Sequence, residues 1–163
     1  MGGARPAGPL RAGSAAHPPA ADTRLFPEAA PLLDAGWPSG APWIAGPWPA
    51  PHGVPLDRLG PDDGTAVGAV VATDVCCVHD GADRLHFALE AEGQPVSIAL
   101  WRNLKGFPDT GPYRSTGVEP MLGRVFDLAD AGPGDAARVP ASGEVRWRFT
   151  LTGACRCPDT PAP

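Results

Sequence analysis

A chain of 163 residues has room for one domain of ordinary size and too little for two comfortable ones. Its formal net charge of −5 comes from scattered acidic residues with no basic stripe, which argues against nucleic acid, and no apolar run approaches the ~20 residues of a membrane span. The 21 glycines and 22 prolines, about a quarter of the residues, put it at the threshold of low-complexity composition.

The proline excess is uneven: 13 of the 22 precede Asp62. Residues 1–23 are Ala, Gly and Pro with almost no large apolar side chain, a composition that buries little and predicts loose coil or disorder. Arg5 and Arg11 lie there without a continuous apolar stretch behind them, so no cleaved secretory signal is expected and a cytoplasmic location is the default. Residues 24–61 interleave Leu25, Phe26, Leu32, Leu33, Trp37, Trp43, Ile44 and Trp48 with prolines. The prolines forbid a helix and any long central strand, while the tryptophans demand burial or a binding surface, so this stretch reads as an ordered, irregular loop.

From Ala66 the pattern becomes that of strands. Val67–Ala72 is a short apolar run. Arg84–Glu90 and Pro95–Trp101 each alternate polar and apolar residues, and the turn Glu92-Gly93-Gln94 between them predicts a hairpin. Ser115–Glu119 reads as a further strand, ending at Pro120. Glu144–Thr152 alternates most clearly, with Val145, Trp147, Phe149 and Leu151 on one side. Turn signals stand at Pro61–Gly64, Asp80-Gly81, Lys105–Asp109 and Ala131–Gly134. No window carries a helical stripe. The class is all-β, an antiparallel β-sandwich. With only five or six strands it is expected to be incomplete at the N-terminus, leaving an apolar edge open to self-association. The domain is placed at 24–152 and a flexible tail at 153–163.

Cys76-Cys77 and Cys155-Arg156-Cys157 fit the spacing of a structural zinc site poorly. They read as two thiols in a strand and two in the tail, and no metal is expected. His86 falls opposite Leu85, Phe87 and Leu89 and is expected on the surface, as is His79 before the Asp80-Gly81 turn. His52, in the Trp-rich loop, could line a pocket; nothing local would order His17. No phosphate loop, serine elbow or zinc-protease motif is present, and Ser39 has no acid–base partner near it.

The segment from Trp101 to Gly123 is the most informative. Glu119 stands at an apolar strand end before Pro120, with Trp101, Arg102, Tyr113 and Arg114 near in sequence. Aromatic faces, guanidinium forks and a carboxylate are what a pyranose site uses, for stacking on C–H faces and charged hydrogen bonds to hydroxyls. The alternative is a strand-end glutamate paired with Arg114 or Arg124.

Leu100–Arg124 (LWRNLKGFPDTGPYRSTGVEPMLGR) and Pro140–Thr152 (PASGEVRWRFTLT), with GWPSG, WPAPHG and LGPDDGTA upstream, resemble the C-terminal half of the galactose mutarotase-like (aldose 1-epimerase) superfamily. The resemblance implies a supersandwich fold and interconversion of the α and β anomers of a free aldose by ring opening. Glu119 would be the general base and His17, in Ala16-His17-Pro18, the acid; no cofactor or metal takes part. Trp101, Arg102, Asn103, Arg114 and His52 would contact the sugar. Two other readings stand beside this one: a non-catalytic carbohydrate-binding or vestigial sandwich, and an interaction module that docks a partner through the Pro/Trp loop.

Overall fold

Short apolar and β-branched runs between turn signals build nine strands in the residues described by this computed structural model, 15–16, 22–27, 41–80 and 82–153. They are β1 (Ala15–Ala16), β2 (Asp22–Pro27), β3 (Ile44–Pro47), β4 (Thr65–Val71), β5 (Val75–Asp80), β6 (Asp83–Glu90), β7 (Val96–Leu104), β8 (Arg114–Leu122) and β9 (Arg148–Thr152). All pairings between them are antiparallel, and they form a four-stranded sheet, β1-β5-β6-β9, and a five-stranded sheet, β3-β2-β4-β7-β8. The all-β, sandwich-like class is therefore as expected. Among the described residues no helix is long and apolar enough to cross a membrane.

Every residue of β4 is buried, because it runs between β2 and β7 with both faces covered. A strand enclosed on both faces reads as a continuous apolar run rather than an alternation. Its odd residues Val67, Ala69 and Val71 join Val54, Leu56, Cys76, Ile98 and Leu100 in the core between the sheets. Each fully buried Val, Leu or Ile there contributes about 1.5–3 kcal/mol. The opposite, outward face of the five-stranded sheet has a second, smaller cluster of Phe26, Val70 and Val125. A strap at 123–136 covers that cluster, closed on itself by a bridge between Gly123 and Ala136 and tied to β7 by the Ser97 hydroxyl, which donates to Gly123 O.

Four expectations need correction. The segments 84–90 and 95–101 are not a hairpin: β6 pairs with β5 and β9, whereas β7 pairs with β4 and β8, so the turn at Glu92–Gln94 carries the chain from one sheet to the other. Residues 24–61 are not all irregular, since β2 and β3 end on Pro27 and Pro47, where a proline costs little, and strands of four to six residues fit between them. The strand containing Glu119 does not stop at Pro120 but runs to Leu122, because β8 is an edge strand and half of its backbone donors need no ladder partner. The last strand spans only Arg148–Thr152, and Trp147, Phe149 and Leu151 remain exposed at 62%, 42% and 53% along that edge.

The cysteine reading changes too. Cys77 is disulfide-bonded, and Cys76 is a thiol outside any disulfide, buried in the inter-sheet core. Cys155 and Cys157 lie outside the described residues. His79, expected at the surface, is buried because β5 has neighbours on both sides, β1 and β6.

Candidate functional site

Antiparallel register sorts the segment Trp101–Glu119 onto two faces. The rows Arg24–Val70–Ala99–Glu119 and Phe26–Gly68–Trp101–Gly117 cross four adjacent strands of the five-stranded sheet. Val70 and Phe26 belong to the outward cluster, so Trp101 and Glu119 project outward with them. Gly117 and Gly68 flank Trp101 in its row; the Gly117 side is free of bulky side chains, whereas the Phe126 ring fills the space over Gly68, 3.0 Å from a Cβ placed there. A Cβ placed on Gly117 would stand 3.2 Å from Glu119 Oε1 and 3.5 Å from Trp101 Cβ, so the carboxylate and the indole border the same glycine. The ring of Phe107 meets Trp101 edge-on, 5.9 Å between centroids at 88°. Glu119 is exposed, and among the described residues its carboxylate has no hydrogen bond or ion pair. Neither Arg114 nor Arg124 neutralises it.

The other residues singled out from the sequence lie elsewhere. Arg102 faces the core and is 4% exposed, its Nη2 donating to Thr65 Oγ1 at 3.1 Å, while Thr65 Oγ1 donates to Asp63 Oδ1 at 2.6 Å. Burial pushes the Arg102 guanidinium below its usual range, opposed by the charge of Asp63. Asn103 is fully buried and braces the following loop: its Nδ2 donates to Phe107 O at 2.7 Å, and its Oδ1 accepts from Gly106 N at 2.9 Å and Phe107 N at 3.2 Å. It thereby holds the loop that brings Phe107 against Trp101. Arg114 clamps the 59–62 turn, donating to Asp62 Oδ1 at 2.7 Å and to the carbonyls of Leu59 and Gly60 at 3.1 and 2.6 Å. The Arg114 and Lys105 side chains hold the Asp62 carboxyl below its ordinary range.

His52 adopts a left-handed backbone, φ 50°, and its Nε2 lies 2.6 Å from Ala45 O, which makes it a donor to β3. The strands β3 and β8 are the two edges of the sheet, four spacings of about 4.8 Å apart, so His52 and Glu119 are separated by roughly 19 Å. His79 and His86 belong to the other sheet. His17 lies outside the described residues.

Sequence reading missed what flanks the strap. Arg24 Nη2 pairs with Asp135 Oδ1 at 2.9 Å, its Nη1 donates to Arg124 O at 3.2 Å, and its Cζ sits 4.1 Å from the Trp43 ring centroid. Arg124 and Asp135 are 100 or more residues from Arg24 in the chain, so no local pattern could have shown those contacts. The Arg24 guanidinium, opposed by partial burial, holds the Asp135 carboxyl below its ordinary range. A carboxylate depressed on folding contributes stability that is full above its unfolded pKa of about 3.9 and is lost as pH falls through the folded value. Urea midpoints are therefore expected to fall on acidification below about pH 4, and Asp135→Asn should flatten that fall while lowering the midpoint at pH 7. An unchanged acid slope in the variant would remove Asp135 from this role.

No family model matches this chain, and searches of curated proteins and of solved structures find no similar one. The fold and the site define an all-β protein of two antiparallel sheets, whose larger sheet presents an aromatic ring and an unpaired carboxylate on its outward face.

Proposed function

We propose that this protein binds a neutral sugar ring on the outward face of the five-stranded sheet, with Trp101 stacking on its C–H face and Glu119 accepting from its hydroxyls. The observation that carries this reading is the exposed, unpartnered Glu119 carboxylate beside Trp101 on a glycine floor. A carboxylate that neutralises nothing in the fold is free to accept charge-assisted hydrogen bonds, and an indole bordered on one side by Gly117 offers an apolar face. The resemblance to the galactose mutarotase-like superfamily supports the same class of ligand.

Binding without turnover is the better supported form of this reading. Ring opening needs a proton acceptor at the anomeric hydroxyl and a donor at the ring oxygen, on opposite sides of one sugar. Among the described residues no histidine shares the outward face with Glu119, since His52 braces the far edge and His79 and His86 sit in the other sheet. Anomer exchange with Glu119 as base and His17 as acid is the second reading, favoured by the freedom of the Glu119 carboxylate.

NMR titration with galactose and glucose, combined with anomer-exchange rates, separates these readings. Trp101→Ala is expected to weaken binding roughly tenfold or more, as truncation of a central aromatic contact does. Exchange faster than buffer that disappears in Glu119→Gln would establish the enzyme reading. Absence of saturable binding by the folded wild type would sink both.

A further inference from the structure

The strap divides the outward face, and on the side away from Glu119 it borders a cleft of about 480 Å³, within the range of small-molecule sites. Its floor is Val70 and Ala72, Trp43 forms an aromatic wall, and Arg24 and Arg124 line it as well. The two guanidiniums differ in kind. Arg24 is fully engaged by Asp135, by the Arg124 carbonyl and by the Trp43 ring. Arg124 is tied through its backbone, its N–H donating to Asp135 O at 2.8 Å and its carbonyl accepting from Arg24, while its side-chain charge acts on the Asp135 carboxyl only through space. Among the described residues the Arg124 side chain is exposed, with no hydrogen bond and no ion pair. Among the described residues that line the cleft, Arg24 and Arg124 are the charged ones, and of the two Arg24 is paired, with Asp135.

The backbone of Arg124 is pinned where its side chain is not. The strap is closed by the Gly123–Ala136 bridge, and Arg24 stitches it to β2. A free guanidinium fork on a fixed backbone, over an apolar floor and beside an indole, suits a planar carboxylate on a ring-sized body. We propose that this cleft binds a sugar acid, its carboxylate taken by Arg124 and its ring lying between Trp43 and the Val70–Ala72 floor. The sugar body rests on the carbohydrate reading above, whereas the carboxylate is read from Arg124 alone.

Calorimetric titration with D-glucuronate and D-glucose at fixed ionic strength tests this, using the whole chain, Arg124→Gln and Trp101→Ala. Glucuronate is expected to bind at least about tenfold more tightly than glucose, and Arg124→Gln to remove that advantage, since a hydrogen bond to a charged group is worth about a factor of ten or more. Arg124 is exposed and unpaired, so the variant should keep the wild-type circular dichroism spectrum. Glucuronate affinity unchanged in Arg124→Gln, or lost in Trp101→Ala instead, would overturn the proposal, as would absence of glucuronate binding to the wild type. Failure of glucose to bind, with glucuronate still bound through Arg124, would remove the Trp101 platform and leave this cleft standing.

Discussion

Gly106→Ala is expected to destabilise the protein by about 3 kcal/mol or more, at the upper end of what overpacking costs. A Cβ at that position would stand 2.3 Å from Thr65 C and 2.4 Å from Ala66 N, and the obstruction is the backbone of the most enclosed strand rather than a side chain that could swing aside. Nor can the loop retreat, because Asn103 Oδ1 accepts from the Gly106 and Phe107 amides and its Nδ2 donates to Phe107 O. Lys105 adds a backbone bridge to Thr65 and adopts a left-handed conformation, φ 67°. Urea midpoints should show the loss, with Gly60→Ala as the control: nothing lies within 4 Å of a Cβ there, so that variant should stay within about 0.5 kcal/mol of wild type. The same loop carries the Phe107 ring that meets Trp101, so under the proposed sugar-binding reading any Gly106→Ala protein that folds should also bind sugar less well. Equal midpoints for the two glycine variants would mean that β4 and the loop separate at no cost, and the account of this brace would fall.

Reduction is the second large effect. Cys77 is bonded and Cys76 is not, although they are adjacent, because successive residues of β5 point to opposite faces and Cys76 is committed to the inter-sheet core. Loss of a native disulfide typically costs about 2–4 kcal/mol. Thermal melts with and without reductant should therefore differ by several degrees. Cys77→Ala should melt at the lower temperature in both conditions, while Cys76→Ala should keep the sensitivity to reductant. Alkylation of Cys77 in unreduced, native protein would contradict the bond.

Much of the strand content was legible because period-two alternation is a local property. Leu85, Phe87 and Leu89 alternate with Arg84, His86 and Ala88, and that pattern needs no partner to be read. The apolar run of β4 was legible too, as a short continuous stretch between turn signals rather than as an alternation. The short strands β2 and β3 were not, since proline-rich flanks hide a strand that prolines only terminate. The candidate site was legible in its two members Trp101 and Glu119. Their meeting was not, because it depends on the register in which Trp101 opposes Gly117 and Ala99 opposes Glu119. Neighbours in sequence behaved in the opposite way: Arg102 and Asn103 follow Trp101 directly, yet one lies in the core and the other ties down a loop.

By itself, then, the sequence determined the all-β class, the longer strands and the two faces of those that alternate, because side-chain direction in an extended chain follows from residue spacing alone. Tertiary structure alone decided which sheet β6 and β7 would join, that Glu119 would face outward unpaired, that His52 would lie at the opposite edge from it, and that Arg24, Trp43 and Arg124 would line one cleft, with Asp135 paired to Arg24. Each of these is a pairing between segments far apart in the chain, set by which apolar faces could be buried together, and that sum is made only when the whole molecule packs.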